Sequence, residues 1–197
     1  MDPVLIDVPE RLETERLTLR CPRAGDGPAL NAAVCASIEV LRPWVPWARE
    51  APSADASEAY CRRMQAKFIL REDLVLLIFE QGSDGAQGPV LGALGLHRID
   101  WTLRTFELGY WRRAGLDGLG VVTESVVALS RMVFDRLLAR RIEIRTDDAN
   151  ERSWRVAERA GYTFEALLRL NTINPDGVAC STRVYSRVRG FEGAPSE

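Results

Sequence analysis

Between Phe106 and Ser125 the chain reads FELGYWRRAGLDGLGVVTES, and this stretch limits the folds open to it. Phe106, Leu108 and Tyr110 alternate with Glu107 and Gly109, the period of a strand. Gly115, Gly118 and Gly120 follow. Then comes VVTESVVALSRMVFDRLL, in which Val122, Val126, Leu129, Val133 and Leu137 share one helical face. A strand, a glycine turn and a helix in that order leave the first N–H groups of the helix bare at the positive end of its dipole. Such a terminus can hold phosphate or pyrophosphate. The plainer reading is a glycine turn that joins a strand to a core helix.

Of two familiar phosphate loops, the first is excluded and the second disfavoured. A Walker loop ends in Gly-Lys-Ser/Thr, whereas Gly120 is followed by Val121 and Val122. A dinucleotide fold opens early with G-x-G-x-x-G, whereas the order here is Gly115-x-x-Gly118-x-Gly120 in the second half of the chain.

With 197 residues the chain suits one large domain, expected over 1–190 with a flexible tail over 191–197. It is 46% hydrophobic and 27% charged, and its net charge of −2 points to neither nucleic acid nor an anionic membrane. Cys21, Cys35, Cys61 and Cys180 are widely spaced and there is one histidine, His97, so no metal site is expected. MDPVLIDVPE has no basic and apolar leader, and no apolar run approaches about 18 residues. A cytoplasmic protein with reduced thiols is expected. The arginines between Arg136 and Arg145 are either a solvated helix end or an attraction for an anionic cofactor.

Glu15–Arg20 alternates as a first strand, and Asp26 can cap a helix through Leu30, Ala33 and Val34. Pro43 and Pro46 keep Trp44 and Trp47 in a loop, as core anchors or as a binding wall. Ser53 or Asp55 can cap a second helix, and LVLLIF at 74–79 reads as a strand buried on both faces. A turn is expected at Gln81–Gly88. Val90–Ile99 returns as a strand, with Gly92 and Gly95 marking a bulge or a close approach. Arg141–Arg145 is a short strand. Asn150 can cap a helix that Gly161 ends, and Thr163–Asn171 and Val178–Val188 close the chain as a hairpin.

Several of these stretches resemble the GNAT N-acetyltransferase superfamily. Asp117-Gly118-Leu119-Gly120-Val121-Val122 is similar to its cofactor loop, Arg/Gln-x-x-Gly-x-Gly/Ala. Asn150-Glu151-Arg152-Ser153-Trp154-Arg155-Val156-Ala157-Glu158-Arg159-Ala160-Gly161-Tyr162 is similar to its second cofactor motif. Gly109-Tyr110-Trp111, Thr123-Glu124, LETERLTLR and the Trp44-x-x-Trp47 loop resemble the RimJ/RimL branch. The likeness covers residues 12–188 and implies an α/β fold. Its expected form is a mixed, mostly antiparallel seven-stranded sheet, splayed near its middle and flanked by about four helices.

The resemblance implies acetyl-CoA as cosubstrate. Its pantetheine would run along the backbone of Tyr110, Trp111 and Arg112. Its pyrophosphate would meet the N–H groups of Gly118, Leu119, Gly120, Val121 and Val122, and Asn150 would also touch it. Trp44 and Trp47, with His97, would face the acceptor amine, which is a peptide N-terminus or a small molecule. A homodimer is compatible with it.

Glu107 is the candidate base for the amine, against an edge ion pair. Ser153 is the candidate acid for the leaving thiolate, against a simple helix cap. The family's usual tyrosine position is Ala157 here. Two further departures are Asp117, a carboxylate beside an expected diphosphate, and Val122 where Gly or Ala is usual. The functional expectation is direct acetyl transfer from acetyl-CoA to a primary amine, with a protein N-terminal α-amine as one acceptor. The alternatives are a small-molecule N-acyltransferase acting on an antibiotic, amino acid or polyamine, and a silent acyl-CoA-binding module.

Overall fold

The computed structural model describes residues 2–81 and 87–191. Most of the turn expected at Gln81–Gly88 and nearly all of the expected tail lie outside the described residues. Eight strands form one sheet: β1 (Arg11–Glu13), β2 (Leu17–Arg20), β3 (Leu74–Gln81), β4 (Gln87–Asp100), β5 (Thr105–Arg112), β6 (Arg141–Asp147), β7 (Thr163–Ile173) and β8 (Ala179–Val188). Their order is β1-β2-β3-β4-β5-β6-β8-β7. Among the described residues only the β5–β6 pair is parallel. The five α-helices of the described residues are α1 (Gly27–Cys35), α2 (Ile38–Leu41), α3 (Ala54–Leu70), α4 (Val121–Asp135) and α5 (Glu151–Arg159). The mixed, mostly antiparallel sheet is the one expected.

The counts exceed the expected seven strands and four helices by one each, because two elements are very short. β1 is three residues turned back on β2 at Thr14, whose N–H donates to the Leu17 carbonyl at 2.9 Å. α2 is a four-residue helix, too short to show a hydrophobic period.

LVLLIF is buried on both faces, as its unbroken hydrophobicity predicts, and its residues divide between two cores. Leu74, Leu76 and Ile78 join Val126, Leu129 and Val133 of α4, while Leu77 and Phe79 meet Leu30 and Val34 of α1 and Cys61 of α3. Burying each such aliphatic side chain is worth about 1.5–3 kcal/mol before entropy is counted.

Two local expectations change. β2 does not present a polar face: Thr18 and Arg20 are buried, like Leu17 and Leu19. Arg20 Nη1 and Nη2 donate to Asp26 Oδ2 and Oδ1 at 2.7 and 2.6 Å, and its guanidinium lies over the Phe79 ring. Asp26 stands at the N-cap of α1, yet its carboxylate serves Arg20 and the Arg23 N–H instead of the helix. A buried guanidinium left without its carboxylate would be costly, so the ion pair takes precedence over the cap. Ser53 and Asn150 do cap their helices, accepting from Ala56 N and Ser153 N.

Candidate active site

β5 follows β6 only through Thr105–Arg141, Phe106–Ile142 and Glu107–Glu143. Past Glu107 the strands part. β6 goes on with β8 as far as Asp147, while β5 goes on with β4 as far as Arg112. From Leu108 to Arg112 the β6 side of β5 has no strand partner, so backbone N–H and C=O groups there await one. Tyr110 crosses the gap: its hydroxyl donates to the Ser153 carbonyl at 2.8 Å, and Ser153 Oγ lies 3.4 Å from the same hydroxyl. Burial pushes the Tyr110 phenol up to about 12, so it stays protonated and able to donate.

On one side of this junction lies a cavity of about 690 Å³ at the N-terminus of α4. Gly118 and Gly120 have φ of +77° and +72°, the left-handed region that other residues enter at a cost. A Cβ built on Gly118 would meet nothing within 4 Å, so the backbone is open to a ligand there. Gly120 is the N-cap of α4 and offers no side-chain acceptor to the bare N–H groups of the first turn. Val121 and Val122 send their side chains into the core. Valine at 122 therefore leaves its N–H at the helix end. Leu119 is exposed, and its carbonyl accepts from Arg16 Nη2 at 3.1 Å.

Arg16, Arg112, Arg152, Arg155 and Arg159 surround this cavity. Asp117 is held between Arg112 and Arg152, with Arg152 Nη1 at 3.3 Å, so its charge is met locally. A glycine turn, an uncapped helix start and five guanidinium groups fit a diphosphate. The arginines of the Arg136–Arg145 cluster do not reach the cavity. Arg141 pairs with Glu143 and Glu165, and Arg145 pairs with Glu143.

A second cavity, of about 700 Å³, lies on the other side. It adjoins the first at consecutive residues, Trp111 beside Arg112 on β5 and Ser153 beside Arg152 on α5. Trp44 and Trp47 line it and are 37% and 50% exposed, so they form a wall rather than core. Trp47 meets Trp111 edge to face with ring centroids 5.9 Å apart. Tyr110, Asn150 and His97 also line this cavity. His97 Nδ1 is 2.5 Å from Asp73 Oδ1.

Glu107 is not among the residues lining either cavity. Its Oε2 accepts from Arg98 Nη1 at 2.8 Å and lies 3.8 Å from Arg145 Nε. The edge ion pair weighed against a catalytic base is thus present. Ala157 is fully buried in the core.

The structure brings the glycine turn, Tyr110, Trp111, Arg112, Asn150, Ser153, Trp44, Trp47 and His97 around one junction. It adds Arg16, Asp73, Arg152, Arg155 and Arg159. A signal for three of these was in the sequence, since positions 152, 155 and 159 recur at helical spacing on one face of α5. Nothing local marked Arg16 or Asp73.

A sheet closed as far as Glu107 and open beyond it, with an uncapped helix start at the opening, is the architecture of an acyl-CoA-dependent N-acetyltransferase. The chain belongs to the GNAT acetyltransferases: the family profile described as Acetyltransferase (GNAT) domain matches residues 16–163. The family's acyl donor is acetyl-CoA. Among curated proteins, the "Putative ribosomal N-acetyltransferase YdaF" of Bacillus subtilis (strain 168) is 27% identical over 159 residues, 79% of this chain and 82% of that one. Two of the solved structures that share the fold follow. One is the microcin C7 self immunity acetyltransferase MccE in complex with acetyl-CoA and AMP, with TM-score 0.82 and 22% identity, covering 92% of this chain and 97% of that one. The other is RimL, the ribosomal L7/L12 alpha-N-protein acetyltransferase in complex with coenzyme A. Its TM-score is 0.82 and its identity 22%, covering 91% and 98%.

Proposed function

We propose that this chain acetylates a primary amine at the junction of the two cavities, with a protein N-terminal α-amine as the first acceptor class to test. The observation that carries this reading is the adjacency itself. An arginine-rich cavity suited to a diphosphate and an aromatic cavity open to solvent meet where β5 has an unpaired backbone edge. Acetyl-CoA supplies the activated acetyl group. Its diphosphate is taken by the N–H groups from Gly118 to Val122 and by the surrounding arginines. Its pantetheine amides pair with the free edge at Tyr110, Trp111 and Arg112, and Asn150 borders the same channel.

The acceptor enters between Trp44 and Trp47. An α-amine, with a reference pKa of about 7.7–8.0, is more easily made nucleophilic near neutral pH than a lysine at about 10.4. Ser153 Oγ, with the protonated Tyr110 hydroxyl behind it, supplies a hydrogen bond to the departing sulfur. Glu107, with Glu143, holds Arg145 at the cavity wall.

A small-molecule acceptor is the second reading. A cavity of about 700 Å³ walled by tryptophans has the dimensions of sites for drug-sized ligands. The fold neighbour MccE is described in complex with AMP. The cytoplasmic setting expected from four free cysteines belongs to either reading. The test is thiol release from acetyl-CoA with peptides beginning in Ser or Ala, with ε-amino peptides, and with nucleotide-linked amines. N-terminal acetylation confirmed by mass supports the first reading, and turnover of nucleotide-linked amines alone supports the second. Thiol release with none of them sinks both.

A further inference from the structure

His97 and Asp73 form a pair that neither the cofactor motifs nor the strand edge requires. Asp73 follows α3 just before β3, and His97 stands on β4, where it faces Glu107 across the β4–β5 ladder. A carboxylate accepts, so in the neutral ring the 2.5 Å contact with Asp73 sets the proton on Nδ1 and the lone pair on Nε2.

The ring lies across two glycines that pair directly, Gly95 on β4 and Gly109 on β5. A Cβ on Gly95 would come within 3.3 Å of His97 Cε1, and one on Gly109 within 3.3 Å of Nε2 and Cδ2. A side chain at either position would make the imidazole give way by a few tenths of an ångström. Gly109 is also the residue before Tyr110, on the unpaired stretch of β5. The Nε2 edge therefore overlies the strand along which the thioester would run. His97 lines the aromatic cavity and is itself 40% exposed.

We propose that His97, oriented by Asp73, is the base that takes the acceptor's proton. This rests on the acetyltransferase reading above and moves the base from Glu107 to His97. His97 Nε2 takes one proton from the acceptor ammonium and passes it to solvent. The neutral amine attacks the thioester carbon, the C–N bond forms and the C–S bond breaks. The second amine proton reaches the sulfur through the Ser153 hydroxyl. Ammonium plus thioester thus gives amide, thiol and one proton. Asp73 is a positioning residue, and Lys67 Nζ lies 3.7 Å from its other oxygen, Oδ2. Other charges around the pair are Arg63 on α3, Arg98 and Glu107 beside the ring, and Arg145 and Asp147 across the gap. Tyr60, raised to about 12 by burial and by Asp73, stays neutral.

His97 is the one histidine in the chain, so a nitrogen-15 histidine spectrum contains a single imidazole. The neutral ring of the wild type is expected to carry its proton on Nδ1, and Asp73→Asn to move population toward the Nε2–H tautomer. A wild-type ring protonated on Nε2 overturns the proposal, and this measurement needs no acceptor and no variant. With acetyl-CoA and peptides beginning in Ser or Ala, His97→Gln is expected to lower kcat on the order of 10²–10⁴-fold. The loss is greatest at low pH and shrinks toward the amine pKa, while the KM for acetyl-CoA is unchanged. A His97→Gln protein that melts like the wild type and keeps its kcat, or loses it equally at every pH, overturns the proposal. If wild type releases no thiol with any acceptor, the transferase reading fails, and the tautomer alone decides whether the pair is set as a base.

Discussion

The Asp117 carboxylate is hydrogen-bonded to the Arg112 guanidinium in the lining of the arginine-rich cavity, with Arg152 completing the bridge. An acid at this position would repel a diphosphate if it stood alone. Paired, it holds two guanidinium groups in place at the expense of part of their charge. The pairs are exposed, so they are worth little as stability. Asp117→Asn is expected to tighten CoA binding by about 1.4- to fivefold, from the roughly 0.2–1 kcal/mol scale of exposed charge pairs. Calorimetric titration at two salt concentrations measures it. Weaker binding would mean that Asp117 acts chiefly by orienting the arginines.

Gly120 tests the loop. Glutamate there enters the left-handed region at about 1–2 kcal/mol and places a carboxylate at the helix start. The Gly120→Glu protein is expected to fold, with a somewhat lower Tm, and to lose the Tm rise that CoA produces in wild type by mass action. An undiminished CoA shift would remove this loop from the diphosphate site.

Trp44 and Trp47 are half-exposed and contribute surface rather than core. Trp44→Ala and Trp47→Ala are expected to raise the acceptor KM more than the acetyl-CoA KM, with small changes in Tm. A loss near the roughly 3–5 kcal/mol of a truncated core aromatic would return them to the core. A melting curve separates the two.

Ser153→Ala leaves the helix cap intact, since Asn150 accepts from the backbone N–H of residue 153 and not from its side chain. It is expected to lower kcat on the order of 10²-fold at every pH, with little effect on acceptor KM. This flat profile contrasts with the low-pH loss expected at His97, because one proton goes to sulfur and the other leaves nitrogen. Full activity in Ser153→Ala would leave the residue a structural part only.

Hydrogen bonds from Arg141 hold the Glu165 carboxyl below its ordinary range, and Ser186 adds another. A carboxyl whose folded-state pKa is depressed stabilises the fold above its unfolded value of about 4.3 and loses that contribution as pH falls through the folded value. Glu165→Gln is therefore expected to be less stable than wild type at neutral pH and to lose Tm less steeply below about pH 4. Parallel Tm–pH curves for the two proteins would show that Glu165 does not contribute to the acid limb.

Local chemistry was legible along the chain. The glycine turn at 115–120, the helical face from Val122 to Leu137, the unbroken LVLLIF strand and the Asn150 cap each express a backbone preference or a hydrophobic period confined to a few residues. Those features, with the resemblance they carry, marked the glycine turn and the α5 motif. Tertiary structure decided what depends on residues far apart in the chain. Arg20 and Asp26 abandon surface and cap for each other because two faces of the sheet are covered. Arg16 reaches a turn about a hundred positions away. Glu107 meets Arg98 and Arg145 only because β4, β5 and β6 lie side by side. The pairing of Asp73 with His97 over Gly95 and Gly109 follows from strand register. No spacing in a linear sequence encodes that register, because it is set by how the two cores pack.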